Sequence, residues 1–225
     1  MTHFSSDPIF QQFAVYAYEP GMVYAGIVIM MLLSAFGLPL PEELTLVSVG
    51  ILSYMGANPQ LFPPPEIGAS VVNKYWASVV CVGAIIAGDL LVYYLGKTFG
   101  RKLIRHPRMQ ALLPEEKFAS VERWTHKYGL WAIFFLRFSP GVRFPGHFAC
   151  GLLHYPVKRF MAMDTFAILI SVPTQVILIA TYGEVILSVL HRFKHYFFMV
   201  IIAMVLFFVI RQFWVKRVSA IRDRP

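Results

Sequence analysis

The chain of 225 residues is 57% hydrophobic and 14% charged, and its formal net charge is +8. This composition is too apolar for an ordinary soluble domain and places the protein in a lipid bilayer. The basic residues fall in a few loops between apolar blocks, so we expect them to set orientation across the membrane rather than to bind nucleic acid. We therefore predict one all-α integral membrane domain over residues 1–225.

The first apolar stretch of the chain is interrupted. Residues 1–21 contain no Lys or Arg and predict an uncharged interfacial helix. Residues 22–56 are apolar but are broken at "GLPLPEE", where Pro39 and Pro41 stop a helix. Because no Lys or Arg occurs on either side before Lys74, both ends are predicted outside, and the segment is a re-entrant hairpin.

The next block, residues 75–96, is long enough to span a bilayer, which takes about 20 mostly apolar residues. It contains Asp89, and a charged side chain is costly at that depth. Asp89, Tyr93, Gly96 and Gly100 share one helical face. We expect the glycines, a G-x-x-x-G pair, to allow close helix packing and Tyr93 to hydrogen-bond with Asp89.

Basic residues then mark the cytoplasmic side. Residues 97–127 carry eight Lys and Arg, and the tail 216–225 carries four. The positive-inside rule places both regions, and hence the C-terminus, in the cytoplasm. The blocks 160–182 and 196–215 are then further spanning helices, which makes about three full spans in all. The sequence from Pro114 onward predicts an amphipathic helix on the cytoplasmic surface.

The second interrupted stretch, residues 128–155, is broken at "LRFSPGVRFPGH". Because basic residues flank it on both sides, both of its ends are predicted in the cytoplasm. The segment is therefore a second re-entrant hairpin that enters from the opposite face. A hairpin followed by a span thus occurs twice in opposite orientations, and such inverted repeats form their sites near the bilayer midplane.

Two arginines inside the second hairpin predict an anion site. An arginine in mid-membrane costs at least about 2.5 to 3.5 kcal/mol on insertion scales, so Arg137 and Arg143 need a compensating partner. A phosphate or carboxylate matches the planar guanidinium group. Pro140 and Gly141 break the helix between them, and Gly141 lets backbone N–H groups approach the anion. The alternative is that both arginines extend to the cytoplasmic surface.

Acidic residues form the other half of the predicted site. Glu42 and Glu43 follow the first break, where the alternative role is to cap a helix. At membrane depth they need a proton or an arginine partner, and a carboxyl group balanced between the two is a candidate proton carrier. Asp89 is assigned the same role. Asp164 is expected to lie outside the site, as an interfacial residue paired with the basic residues 158–159.

Three motifs carry a family resemblance. In chain order, "PLPEE", "GDLLVYYLGKTFG" and "LRFSPGVRFPGHFACG" resemble the DedA family of membrane proteins, also called VTT or SNARE-associated Golgi domains. The matching positions are Pro39, Pro41, Glu43, Gly88, Asp89, Tyr93, Gly96, Gly100, Phe134, Arg137, Phe138, Pro140, Gly141 and Arg143. Many members carry an acid where this chain has Ser34, and Gly is usual at position 42, so we expect Glu42 to compensate.

The resemblance implies a lipid translocase. Members are regarded as moving undecaprenyl phosphate or phospholipids across the bacterial cytoplasmic membrane, coupled to an ion gradient. We therefore expect a flippase of the inner membrane in which Arg137 and Arg143 hold the lipid phosphate, while Glu42, Glu43 and Asp89 exchange protons. Tyr93, Pro39 and Pro41 would support this site. A proton or a sodium ion would be the coupling ion, no further cofactor or metal is expected, and a homo-oligomer is compatible with the sequence.

Two alternatives belong to other classes. A proton-coupled transporter of a small anion or a drug would use the same cavity. A membrane enzyme is suggested by "FPGHF", which resembles the P-S-G-H of lipid phosphatases, but Pro145 replaces the serine and the upstream signature is missing. We predict that the protein is not an enzyme.

Overall fold

Prolines, glycines and charged residues divide the chain into helices. The structure, a computed structural model, describes residues 8–36, 42–104, 123, 127–137 and 143–189. No strand occurs in these ranges, so the all-helical prediction is confirmed for them. The helices are α1 (Pro8–Val15), a 3-10 turn (Tyr16–Tyr18), α2 (Pro20–Ala35), α3 (Glu42–Ala57), α4 (Lys74–Ile104), α5 (Leu130–Arg137), α6 (Arg143–Leu152) and α7 (Val157–Thr181).

Two of the described helices are long and apolar enough to cross a membrane. They are Lys74–Gly100, within α4, and Val157–Thr181, which is α7. Both carry large exposed apolar side chains, such as Leu91 and Phe166, which suit contact with lipid chains. The predicted spans at 75–96 and 160–182 are therefore matched by helices of sufficient length.

The N-terminal segment makes a sharp bend before α2. Phe10–Tyr18 and Pro20–Ala35 are inclined by 101° to each other across Glu19, and they would add a third span if they crossed as one unit. Pro20 occupies the first turn of α2, where its missing N–H has no helical partner to lose. The predicted interfacial helix at 1–21 thus corresponds to α1 and the 3-10 turn over the part that the structure describes.

Several predicted segments fall outside the described residues. These are the third span at 196–215, the tail 216–225 and most of the cytoplasmic segment 97–127, including the helix from Pro114. The basic residues at the start of that segment belong to α4, which continues to Ile104 rather than ending near residue 96.

The two interrupted stretches each contain a pair of helices. In each pair, one helix packs against the long helix of its own half of the chain and the other against the long helix of the other half. In the first half, α2 packs against α4, and in the second half α5 packs against α7. The second helix of each pair crosses over, because α3 packs against α7 of the other half and α6 packs against α4. Each long helix therefore carries one short helix from its own half and one from the other half.

An apolar core fills the space between α2, α3, α4 and α7. It is built from aliphatic and sulfur-containing side chains that are almost fully buried, and their close van der Waals packing joins these helices to each other and to the segment before α4. The core residues are Ile27, Met31, Leu46, Val49, Val72, Ala77, Cys81, Ala84, Ile85, Ile168, Val172 and Val176.

A tight turn at the end of α6 directs the chain into α7. The N–H of Tyr155 donates to the carbonyl of Cys150 at 2.9 Å, and the N–H of His154 donates to the carbonyl of Gly151 at 2.9 Å. This is the Schellman pattern of helix termination, with His154 in the left-handed region at φ 54°. The turn fixes α6 against the start of α7.

Candidate functional site

Ionisable side chains from five helices meet in the interior of the bundle. We call this group the charge cluster. Its members are Glu42 on α3, Asp89 on α4, Arg137 on α5, Arg143 and His147 on α6, and Asp164 on α7. Both interrupted stretches contribute to it, since Glu42 is the first described residue of α3, Arg137 the last of α5 and Arg143 the first of α6.

Arg137 lies among three carboxylates. Its Nη2 is 3.1 Å from Oε1 of Glu42, and its Nη1 is 3.2 Å from Oδ2 of Asp89. The same Nη1 is 3.7 Å from Oδ1 of Asp164. Only 5% of the Arg137 side chain is exposed, so the alternative that it extends to the surface is wrong.

Arg143 is the most accessible member of the charge cluster. Its Nη2 donates to both carboxylate oxygens of Asp89 at 2.9 Å, and its Nη1 pairs with Oε2 of Glu42. One fifth of its side chain, 20%, is exposed, and its Nε has no hydrogen-bond partner among the described residues. The charge cluster is therefore most accessible at the Arg143 side chain, although the Nε atom itself is buried.

His147 and Asp164 lie on the closed side. The Nδ1 atom of His147 is 3.2 Å from Oδ1 of Asp89, and its Nε2 atom is 3.7 Å from Oδ1 of Asp164. The exposed fraction of the side chain is 1% for His147 and 0% for Asp164. Phe160 packs edge-on against the imidazole ring, with the ring centroids 5.2 Å apart.

Backbone contact between α4 and α6 brings Asp89 and His147 together. A Cβ atom on Gly96 would collide with the carbonyl oxygen of Phe148, and one on Gly151 would collide with the carbonyl oxygen of Tyr93. Only glycine allows two helices to approach so closely. The expectation that this glycine pair packs closely is confirmed at Gly96, and Gly151 supplies its counterpart on α6.

Tyr93 has a different partner from the one expected. Its hydroxyl group donates to the backbone carbonyl of Tyr155 rather than to Asp89, and its ring stacks on Phe160 at 5.0 Å. Tyr93 is almost completely buried. It therefore joins α4 to the turn after α6 and supports the site through the backbone.

The structure separates the two neighbouring glutamates. Glu42 is buried and contacts both arginines, whereas Glu43 is exposed and lies outside the charge cluster in the described part of the chain. Consecutive residues lie about 100° apart around a helix, so only one of them can face inward. The other residues predicted for the site, Pro39, Pro41, Pro140 and Gly141, lie outside the described residues.

Asp164 and His147 belong to the site, although neither was predicted for it. The expectation that Asp164 pairs with residues 158–159 at the interface is wrong, because α7 turns this carboxyl group toward Arg137 and His147. An acid within an apolar span was the signal for Asp164. For His147, the signal was its position one helical turn after Arg143.

Three members of the charge cluster lie close enough to share a metal ion. Asp89, His147 and Asp164 each offer one ligand atom within 4.8 Å of the others. Both oxygens of Asp89 already accept from guanidinium groups, and two arginines so near repel a divalent cation. This donor set is therefore a poor fit for a divalent metal ion.

Comparison with known proteins gives a family match. The sequence model of the VTT domain matches residues 20–183, which contain every member of the charge cluster. An uncharacterized membrane protein of Haemophilus influenzae is 29% identical over 67% of this chain and 66% of its own length. An uncharacterized membrane protein of Mycobacterium tuberculosis is 31% identical over 64% of this chain and 62% of its own length.

One relative has a name that states a function. Undecaprenyl phosphate transporter A of Bacillus subtilis is 28% identical over 39% of this chain and 48% of its own length. The chain thus spans slightly less than two thirds of the Haemophilus and mycobacterial relatives and about half of the transporter. No solved structure matches it.

Proposed function

Since the chain belongs to the VTT-domain (DedA) family of membrane proteins, we propose that it is a transporter that moves a phosphate-headgroup lipid across the membrane. Undecaprenyl phosphate is the first substrate to test, because one partial relative is named as its transporter. A proton or sodium gradient would drive the movement. Binding and release need no covalent step, so the proposal is for a flippase and not an enzyme.

The observation that supports this proposal best is a pair of arginines inside an apolar helix bundle, one of them deeply buried and the other partly exposed. The Arg143 side chain is 20% exposed and its buried Nε atom has no hydrogen-bond partner among the described residues, while the Arg137 side chain lies deeper at 5% exposure. Planar guanidinium groups bind phosphate oxygens through paired, charge-assisted hydrogen bonds. A lipid phosphate that enters the charge cluster would meet Arg143 first.

The Glu42 carboxylate would occupy the phosphate site while no substrate is bound. Glu42 pairs with both arginines, so a phosphate group could take its place without leaving either guanidinium unpaired, provided that the displaced Glu42 takes up a proton. Leaving a buried charge unpaired costs several kcal/mol, which favours such an exchange over simple opening. The empty and the loaded transporter would then differ in which anion the two arginines hold.

The exchanged packing of the two halves supports alternating access. We infer that α2 with α3 and α5 with α6 are re-entrant hairpins related as an inverted repeat, because each pair makes the same contacts with the two long helices. In transporters of this type the site lies between the repeats and opens by movement of one against the other. We place the protein in a bacterial inner membrane with its C-terminus in the cytoplasm, on the basis of the basic loops.

Transport by reconstituted protein tests the proposal. Liposomes containing purified protein and labelled undecaprenyl phosphate should show lipid movement between leaflets, and R143A should slow it by about tenfold or more, which corresponds to loss of one charge-assisted interaction. R159A is the matched control, since Arg159 is exposed at the start of α7 and outside the charge cluster.

Three results would count against this function. Equal rates for R143A and the unaltered protein would remove the role of the arginine. Movement of small soluble anions by vesicles that move no lipid would favour an anion transporter instead. Release of inorganic phosphate from the lipid would indicate an enzyme.

A further inference from the structure

Two hydrogen-bond acceptors face each other on the closed side of the charge cluster. Neither carboxylate oxygen of Asp164 has a hydrogen-bond donor in the described part of the chain, and Nε2 of His147 also lacks a partner there. Oδ1 of Asp164 lies 3.7 Å from Nε2 of His147, and all three atoms are buried. Buried polar groups are almost always hydrogen-bonded, so a pair of facing acceptors requires a proton or a cation between them.

The charge balance of the cluster also lacks one positive charge. Among the described residues, the three carboxylates of Glu42, Asp89 and Asp164 face the two guanidinium groups of Arg137 and Arg143. One formal negative charge remains if His147 is neutral. An uncompensated charge in the interior of a membrane protein is costly, and one added proton cancels it.

The contacts of each carboxyl group decide where that proton resides. Glu42 and Asp89 pair directly with both guanidinium groups, which favours their ionised forms. Asp164 has only the weaker approach of Arg137 at 3.7 Å, too long for a hydrogen bond. Burial without a donor favours the neutral carboxylic acid, so Asp164 is the group that carries the proton.

The imidazole ring of His147 completes this arrangement. With its proton on Nδ1, the ring donates to Oδ1 of Asp89 at 3.2 Å and leaves Nε2 as an acceptor that faces Asp164. A second proton on the ring would add a positive charge beside two arginines. The neutral ring therefore suits a neutral, protonated Asp164.

We propose that Asp164 is a buried proton-binding site, whose carboxyl group is protonated at neutral pH and faces Nε2 of His147. The charged and titratable groups that face it from the packed helices are Asp89 on α4, Arg137 on α5, and Arg143, His147 and Cys150 on α6. The proton enters and leaves as H⁺ and no covalent bond between heavy atoms changes.

The proposed transport function extends the role of this site to coupling. A phosphate that binds the arginines adds negative charge to the cluster, and an ionised Asp164 would repel it. Binding of the lipid phosphate should therefore depend on Asp164 keeping its proton. This extension rests on the proposed function, whereas protonation of Asp164 itself does not.

Infrared spectroscopy tests the proton directly. Protein labelled with ¹³C at the side-chain carboxyl groups of its four aspartates, Asp7, Asp89, Asp164 and Asp223, should show an isotope-shifted band of a protonated carboxyl group at neutral pH. The D164N variant should lose this band, while E66Q, which alters an exposed loop acid, should keep it. Absence of the band from the unaltered protein would overturn the proposal without any variant having to fold.

Binding of the lipid tests the coupling. The affinity of the unaltered protein for labelled undecaprenyl phosphate should fall as the pH rises and Asp164 loses its proton. D164N, whose amide imitates the protonated acid, should keep its affinity over that range. Titration of the phosphate itself affects both proteins equally, so the comparison isolates Asp164.

The two proposals can fail separately. A labelled Asp164 band in a protein that moves no lipid would retain the proton site and remove the flippase. Lipid transport without the band would retain the flippase and remove the proton site. A band that persists in D164N would assign the proton to another aspartate and overturn the proposal. Lipid binding that depends on sodium rather than on pH would replace the proton with a cation and would overturn it as well.

Discussion

The adjacent residues Glu42 and Glu43 offer a matched test of the charge cluster. Glutamine at position 42 keeps the size of the side chain but removes the charge that faces both arginines. Removing one partner of a buried ion pair costs about 3 to 5 kcal/mol. Because Arg143 is 20% exposed and water can partly replace the lost carboxylate, we expect the lower end, about 3 kcal/mol.

This loss is large enough to measure by thermal unfolding. For a chain of this length, 1 kcal/mol corresponds to roughly 2 to 4 °C, so E42Q should lower the Tm by about 6 to 12 °C. The two free cysteines, Cys81 and Cys150, are buried, so a dye that fluoresces on reaction with thiols reports unfolding of the purified protein in detergent.

The neighbouring variant provides the control. E43Q changes an exposed acid on the same turn of α3 and should leave the Tm unchanged. A loss of Tm in E43Q that equals the loss in E42Q would refute the assignment of Glu42 to the buried cluster. An unchanged Tm in E42Q would refute the claim that its carboxylate stabilises both guanidinium groups.

Two further predictions concern the contact between α4 and α6. G96A should destabilise the protein by about 1 to 3 kcal/mol, because its methyl group meets the backbone carbonyl of Phe148, which cannot rotate away. G83A on the same helix is the control. A methyl group there has nothing within 4 Å, so this variant should show no loss in the same thermal assay. Y93F should cost about 1 kcal/mol, since it removes the hydroxyl donor to the Tyr155 carbonyl, and a Tm equal to that of the unaltered protein would show that this bond does not stabilise the fold.

Much of the architecture follows from lengths that the bilayer imposes. The apolar blocks at 75–96 and 160–182 predicted α4 and α7, because about 20 apolar residues are needed to cross the hydrocarbon. The helix α4 extends at least to Ile104, beyond its apolar block, since the length of an apolar block measures the crossing and not the helix. Basic residues continue α4 past its hydrophobic part.

Members of the charge cluster could be predicted only where a charged residue interrupts an apolar stretch of sequence. Arg137, Arg143 and Asp89 interrupt apolar sequence, and the structure brings all three together. The choice between Glu42 and Glu43 depended on which side of α3 faces α5 and α6, which family spacing does not reveal. The motif position favoured Glu43, whereas the helix orientation favours Glu42.

Asp164 shows why distance along the sequence can mislead. Residues 158–159 are basic and lie within two turns of it, so an interfacial ion pair was the simplest expectation. In α7 the buried residues Phe160, Ala167 and Ile168 lie on the same face as Asp164, at spacings of four, three and four. That face could not be recognised from the sequence, because nearly every residue of a spanning helix is apolar.

During synthesis, the crossing-over of α3 and α6 delays completion of the first half. When the ribosome has made residues 1–104, α3 has no α7 to pack against, α4 has no α6, and Glu42 and Asp89 have no arginines. Before the second half is inserted, these two acids would need a proton or water in place of the guanidinium groups. Insertion of the second half then supplies Arg137 and Arg143 as their partners.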